Sequence, residues 1–130
     1  MNTYHYGAGK RKAATARAKY YPSTEALAIM VNKQEAKIYF PDYYLKTITE
    51  ATKNMGIFTG ELHFFVNGGG VSAQSEACRL AFAKSLVKMD DEMYRRTARS
   101  FGYMTTDIRM VAPKMAGLRK NRKREQWSKR

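Results

Sequence analysis

Glu61-Leu62-His63-Phe64-Phe65-Val66 runs into Asn67-Gly68-Gly69-Gly70, and the uninterrupted stretch Val71 to Met89 follows. The first six residues are mostly apolar, aromatic or β-branched, and they read as a strand. Three glycines then punctuate the chain, since only residues without a side chain turn this freely. Beyond them Cys78, Phe82, Leu86 and Met89 recur at spacings of three and four, with Ala77, Leu80 and Ala81 widening the stripe. That period predicts a helix with a broad apolar face. Strand, tight turn and long helix together imply a sheet with helices laid on it.

The flanks extend this scheme. Upstream, Ala26 to Val31 is a short apolar run bounded by Pro22-Ser23 and Asn32, which predicts a buried strand. Glu35 to Phe40 reads as one or two helical turns. Pro41-Asp42 breaks the chain and starts a second helix, Tyr43 to Lys53, with Asp42 as its cap and Asn54-Met55-Gly56 as its end. Downstream, Asp90 is placed to cap another helix whose first turn holds Asp91 and Glu92, where the helix dipole favours anions. That helix ends near Phe101-Gly102, and Ile108 to Val111 follows. Residues 4–20 read as an irregular basic arm leading into a strand. Strands first and last around helices predict a small α/β (α+β) two-layer sandwich.

Charge divides the chain more sharply than hydropathy does. The 130 residues carry a net charge of +13. Residues 1–19 hold five basic residues and no acid, and residues 114–130 hold eight and one. Between them, residues 20–113 hold eleven basic and ten acidic residues. The expected organisation is a globular domain, 1–112, with a basic N-terminal arm, and an extended basic C-terminal tail, 113–130. A block of like charges buries nothing and needs a polyanion to order it, with nucleic acid the leading partner. A membrane surface is a poor fit. From Pro113 onward only Met115, Ala116, Leu118 and Trp127 are apolar, without helical period.

Composition argues against most enzyme chemistries. One cysteine, Cys78, allows no intramolecular disulfide and no multi-cysteine zinc site. The two histidines, His5 and His63, have no partners at metal-ligand spacing. No run approaches the ~18 apolar residues of a membrane span. The N-terminus is polar, without an apolar signal core, so a cytoplasmic protein is expected. Asp90, Asp91 and Glu92 are explained by the helix dipole before a metal. No cofactor, metal or small-molecule substrate is expected.

Three readings of the glycine run compete. Gly68-x-Gly70-x-x-Ala73 imitates a dinucleotide fingerprint, but no second parallel strand ends at Asp90-Asp91 and no Gly-Lys-Ser/Thr follows. It also reads as a tight strand-to-helix turn. In the third reading, backbone N–H groups at the start of the helix meet an RNA phosphate. At the N-terminus, Gly7 and Gly9 beside Lys10-Arg11-Lys12 would let backbone approach one phosphate while side chains pair with others.

Gly68-Gly69-Gly70-x-x-Ala73-Gln74-x-x-Ala77-x-x-x-Ala81-x-Ala83-Lys84-Ser85-Leu86 resembles, position for position, the signature of the universal small-subunit ribosomal protein nine family, of bacterial type. Gly7-x-Gly9-Lys10-Arg11-Lys12, Ala16-Arg17, Val31-Asn32, Tyr39-Phe40, Thr106-Asp107-x-Arg109-Met110-Val111, Gly117-Leu118-Arg119-Lys120 and Gln126-Trp127-Ser128-Lys129-Arg130 extend the resemblance over essentially the whole chain. Trp127 stands for a more usual phenylalanine, Lys33 for a turn glycine, and Glu125 interrupts a stretch usually free of acids.

The resemblance implies a four-stranded sheet with helices packed on it. It implies a structural role in the head of the small ribosomal subunit, with no catalysis. The partners it implies are small-subunit rRNA, the P-site tRNA and neighbouring head proteins. Lys10, Arg11, Lys12, Arg17, Gly68, Gly69, Gly70, Gln74, Arg109, Lys114, Arg119, Lys120, Arg122, Lys123 and Arg124 are the rRNA-binding candidates. Ser128, Lys129 and Arg130 are the tRNA-binding candidates, at the tip of a tail that threads inward and spans at most ~60 Å at roughly 3.3–3.6 Å per residue. The alternatives are a free-standing RNA chaperone and a nucleotide-binding enzyme using Gly68 to Gly70.

Overall fold

The computed structural model describes residues 3–130. Two strands, β1 (His5–Arg11) and β2 (Ala14–Ala26), form a hairpin joined by Lys12-Ala13. β3 (Ala28–Val31) turns through Asn32-Lys33 into the two-residue β4 (Gln34–Glu35). Next come α1 (Ala36–Tyr39), α2 (Asp42–Asn54), β5 (Thr59–Asn67), α3 (Val71–Met89) and α4 (Asp91–Ser100). The strands form one mixed sheet in the order β1-β2-β5-β3-β4, parallel only between β3 and β5. This is an α+β fold with the helices on one side of the sheet.

The two-layer α+β arrangement is the one expected, and its sheet has five strands, one more than the four the resemblance implies. The extra one is β4, whose Glu35 the sequence reading assigned to the following helical turn. Residues 4–20 are not an irregular arm either. Ala14, Ala16, Ala18 and Tyr20 point into the core while Thr15 and Arg17 point out, which is the period of two that defines a strand. The small alanines hid that alternation from a hydropathy reading. Register breaks between Tyr21 and Ala26, around Pro22, which has no N–H to give a ladder. No strand follows α4, and Ile108, Met110 and Val111 are exposed.

α3 is the centre of the fold. Ala77, Cys78, Ala81, Phe82, Ala83, Ser85 and Leu86 are all buried, because the sheet covers one side of the helix while α2 and α4 flank it. Burial pushes the Cys78 thiol pKa far above its usual value, so the thiol packs as a neutral apolar group. Against α3 lies β1, and the contact is backbone to backbone. A Cβ on Gly7 would fall on the Ala81 carbonyl oxygen and 2.6 Å from Ser85 N. One on Gly9 would fall on the Ala77 carbonyl oxygen and 2.7 Å from Ala81 N. Gly7 and Gly9 therefore face the helix, and it is this close backbone approach that requires glycine at both positions.

The helix boundaries follow local chemistry. Asp90 caps α4, its Oδ1 accepting from Met93 N at 3.2 Å, and Asp91 pairs with Arg95 at 2.6 Å, one turn on. Asp42 is the first residue of α2, with Pro41 in the capping position and no side-chain cap. Asn32 and Lys33 take left-handed backbone angles (φ 48° and 68°) to close the β3–β4 turn. The Asn32 side chain then extends the ladder, giving Nδ2 to Val66 O at 3.1 Å and accepting from Val66 N at 2.9 Å.

Candidate nucleic-acid interface

The glycine loop is built where β5 ends and α3 begins. Gly68 and Gly69 have φ of 72° and 66°, angles at which a side chain is strained. They also touch the β1–β2 turn. A Cβ on Gly68 would lie 2.8 Å from the Ala13 carbonyl oxygen, and one on Gly69 would lie 2.8 Å from the Ala14 side chain. So the loop rests against the hairpin tip, which carries the exposed Lys10 and Lys12. Gln74 holds the loop in shape. Its Nε2 donates to Gly68 O at 3.0 Å, and its Oε1 accepts from the Tyr39 hydroxyl at 3.0 Å.

Gly70 differs from the other two. Its φ is −106°, and a Cβ there would meet nothing within 4 Å. It occupies the capping position of α3 with no side-chain cap, and Gly70, Val71 and Ser72 are exposed. The first N–H groups of a helix have no intrahelical acceptor and sit at the positive end of its dipole. Unpaired N–H groups, the dipole of a 19-residue helix and two lysines converge on one end of the molecule. That combination suits a phosphate. Gly70→Asp tests it, because aspartate is a better cap than glycine. The variant is expected to be as stable as the parent or up to ~1 kcal/mol more stable, yet to bind RNA more weakly. Urea unfolding and filter binding of one preparation check both halves.

Arg11 and Arg109 are placed otherwise. The strand period turns Arg11 inward while Lys10 points out. Arg11 Nε donates to Glu76 Oε2 at 2.7 Å, and its Nη1 lies 3.0 Å from Asp107 Oδ2, an ion pair not aimed as a hydrogen bond. Asp107 also accepts from Arg109, from Nη2 at 2.6 Å and from the backbone N at 2.9 Å. Two cations and two anions close a neutral cluster, which straps the segment after α4 onto β1 and α3. The Arg109 hydrogen bonds hold the Asp107 carboxyl well below the usual carboxylate range. Any stabilisation from this lowered pKa is present above the ordinary aspartate pKa and lost only in strong acid. Arg109 remains largely exposed, so its outer edge stays open to a phosphate.

Beyond this strap the tail has no helix or sheet strand. Lys114, Arg119, Lys120, Arg122, Lys123, Arg124, Lys129 and Arg130 are all exposed, as is Glu125. The basic run doubles back on itself: Leu118 bridges Arg124, and Arg119 N donates to Lys123 O at 2.8 Å. Ser128 Oγ donates to Arg130 O at 2.7 Å at the tip. Arg17 lies elsewhere, exposed on the sheet face away from the helices, beside Ala8 of β1. Lys19, absent from the candidate set, shares that face, and the alternation of β2 is the signal that finds it.

Among the described residues no group of three His, Cys, Asp or Glu is placed to hold a metal, and no helix is long and apolar enough to cross a membrane. His63 lies on the open sheet face and pairs with Glu61 at 3.2 Å. No strand follows α3, so the glycine run is not part of a βαβ unit around a nucleotide.

The sequence pattern of the ribosomal protein S9/S16 family matches residues 9–130. The chain belongs to this family. A relative from Emiliania huxleyi, the small ribosomal subunit protein uS9c, is 38% identical over the full length of both chains. This is therefore a ribosomal protein of the small subunit, part of a ribonucleoprotein that serves translation, and its family is structural rather than enzymatic.

Proposed function

We propose that this ribosomal protein holds small-subunit rRNA in the head of the subunit, beside neighbouring head proteins, and that its tail reaches the anticodon stem-loop of the P-site tRNA. The observation that carries this reading is the separation of charge from core. Every buried core residue lies at or before Tyr103, while eight exposed cations lie on the segment from Lys114 onward. Among the described residues none of these cations pairs with a carboxylate, which leaves them available for phosphates. Lys10, Lys12 and the Gly68–Gly70 loop offer a second phosphate site at the hairpin tip, and Arg17 a third contact on the sheet. Gln74 acts by shaping the loop, and Arg11 by strapping the base of the tail.

Such contacts position the protein without reading sequence. At the tip, Lys129 and Arg130 meet tRNA backbone phosphates, with Ser128 ordering the last turn of chain. Arginine suits this place because its planar fork grips a phosphate with two hydrogen bonds. Deleting Ser128-Lys129-Arg130 is expected to leave subunit assembly intact and to weaken P-site tRNA retention by about 10-fold, for two lost phosphate contacts at about 0.7 kcal/mol each. Sucrose-gradient sedimentation and tRNA filter binding check the two effects. Subunits that fail to assemble would make the tip a scaffold for rRNA instead. Sub-stoichiometric sedimentation of the intact chain with the subunit would point to a free-standing chaperone.

A further inference from the structure

Among the described residues no helix covers the face of the sheet opposite α3, and its side chains are of the aromatic and cationic types that suit unpaired nucleotides. Strand register puts Arg17, Lys19 and Tyr21 of β2 beside Phe65, His63 and Glu61 of β5 on this face. Arg17 is exposed, and Lys19, Tyr21, His63 and Phe65 are half-buried. The Arg17 guanidinium lies 5.9 Å from the Phe65 ring centre, and Lys19 Nζ lies 5.6 Å from the same ring and 4.6 Å from that of Tyr4. Tyr21 stands between Tyr4 and His63, 5.5 Å from each. Beside Tyr21 and His63 opens a cavity of about 730 Å³, which has room for a nucleobase.

We propose that this open face is a further RNA surface, which takes an unpaired rRNA segment with its bases stacked at Tyr21 and Phe65 and its phosphates on Arg17 and Lys19. This rests on the RNA-binding reading above and adds to it the class of RNA. Every base has a π-face, so aromatic rings accept any unstacked base, and a guanidinium lying on a ring offers its other plane to a second one. A duplex offers no such faces, because its bases are stacked on one another. Charge favours the same occupant. The acid here, Glu61, is already tied to His63, and among the described residues Arg17 and Lys19 have no carboxylate partner. A protein would have to supply carboxylates and large flat apolar groups together, and a polynucleotide supplies an anion and a ring in every residue.

The test uses the full chain with two probes, a single-stranded oligoadenylate of about 12 nucleotides and an RNA duplex of the same length. Tyr21→Ala and Phe65→Ala are each expected to weaken oligoadenylate binding about 5- to 150-fold and to leave duplex binding and the salt slope unchanged. Tyr21→Phe and Phe65→Tyr are expected to bind as the parent does. Parent-like oligoadenylate binding by both alanine variants overturns the proposal. If those variants keep both RNA affinities yet drop out of assembled subunits, the face meets a protein, and the proposal is again overturned. If the parent binds neither probe, the RNA-binding reading itself has failed. Should Phe65→Ala lower the unfolding midpoint, Tyr21→Ala, at the rim of the face, decides alone.

Discussion

Gly9→Ala is expected to destabilise the fold by about 3 kcal/mol or more, and Gly7→Ala by a similar amount. The added methyl at Gly9 lands on the Ala77 carbonyl oxygen and 2.7 Å from Ala81 N, and the one at Gly7 lands on the Ala81 carbonyl oxygen. These are backbone atoms of a buried helix, so no side chain can rotate away. α3 must move off β1, and that separation also loosens its contacts with β2. A domain of this size is stable by only about 5–15 kcal/mol, so the double variant is expected not to fold. Gly70→Ala is the control. A methyl there meets open space at an ordinary φ, and the expected cost is at most ~1 kcal/mol, from the poorer cap. Urea unfolding of the three single variants separates the cases. A parent-like midpoint for Gly9→Ala would mean that β1 does not pack on α3 as described.

RNA binding by the intact chain is expected to fall steeply with salt. If ~6–10 phosphates are neutralised, affinity drops about 10³- to 10⁵-fold between roughly 50 and 200 mM salt, because binding releases the counterions condensed on RNA. Removing residues 114–130 takes away eight Lys/Arg and one Glu. If all eight meet phosphates, the slope of log affinity against log salt falls by about 6 to 7. The core residues all precede the cut, so the shortened chain is expected to unfold near the parent midpoint. A flat salt response in the intact chain would remove the electrostatic basis of the proposed function. An unchanged slope in the shortened chain would move the phosphate contacts to the hairpin tip and the sheet.

Much of the architecture was legible in local signals. The helix over Val71 to Met89 follows from period and from the absence of breakers, and Asp90 was recognisable as a cap because a short acidic side chain there meets a free N–H. β1 and β4 were not legible from local period, although the family resemblance marks Gly7 to Lys12 and Ala16-Arg17 as a basic N-terminal strand. β1 holds two glycines and few apolar residues, so its alternation shows only once α3 covers one side of it. β4 is two residues long, below the length at which any period can be read. The candidate site divides in the same way. Clustered exposed cations in the tail need no tertiary knowledge, but the basic stretch Lys10-Arg11-Lys12 looks uniform until strand geometry turns its middle residue inward.

Sequence alone determined the family, the charge split and the long helix, because each is a property of neighbouring residues or of their fixed spacing. Tertiary structure decided which glycines and which cations serve the fold. Gly7 and Gly9 look like Gly70 on paper, yet two lie under a helix backbone and one faces open space. Arg11 looks like Lys10, yet Glu76, 65 residues away, and Asp107 neutralise it. The physical reason is common to both. What a small or charged residue does depends on the atoms that come within a few ångströms of it, and those are supplied by distant parts of the chain.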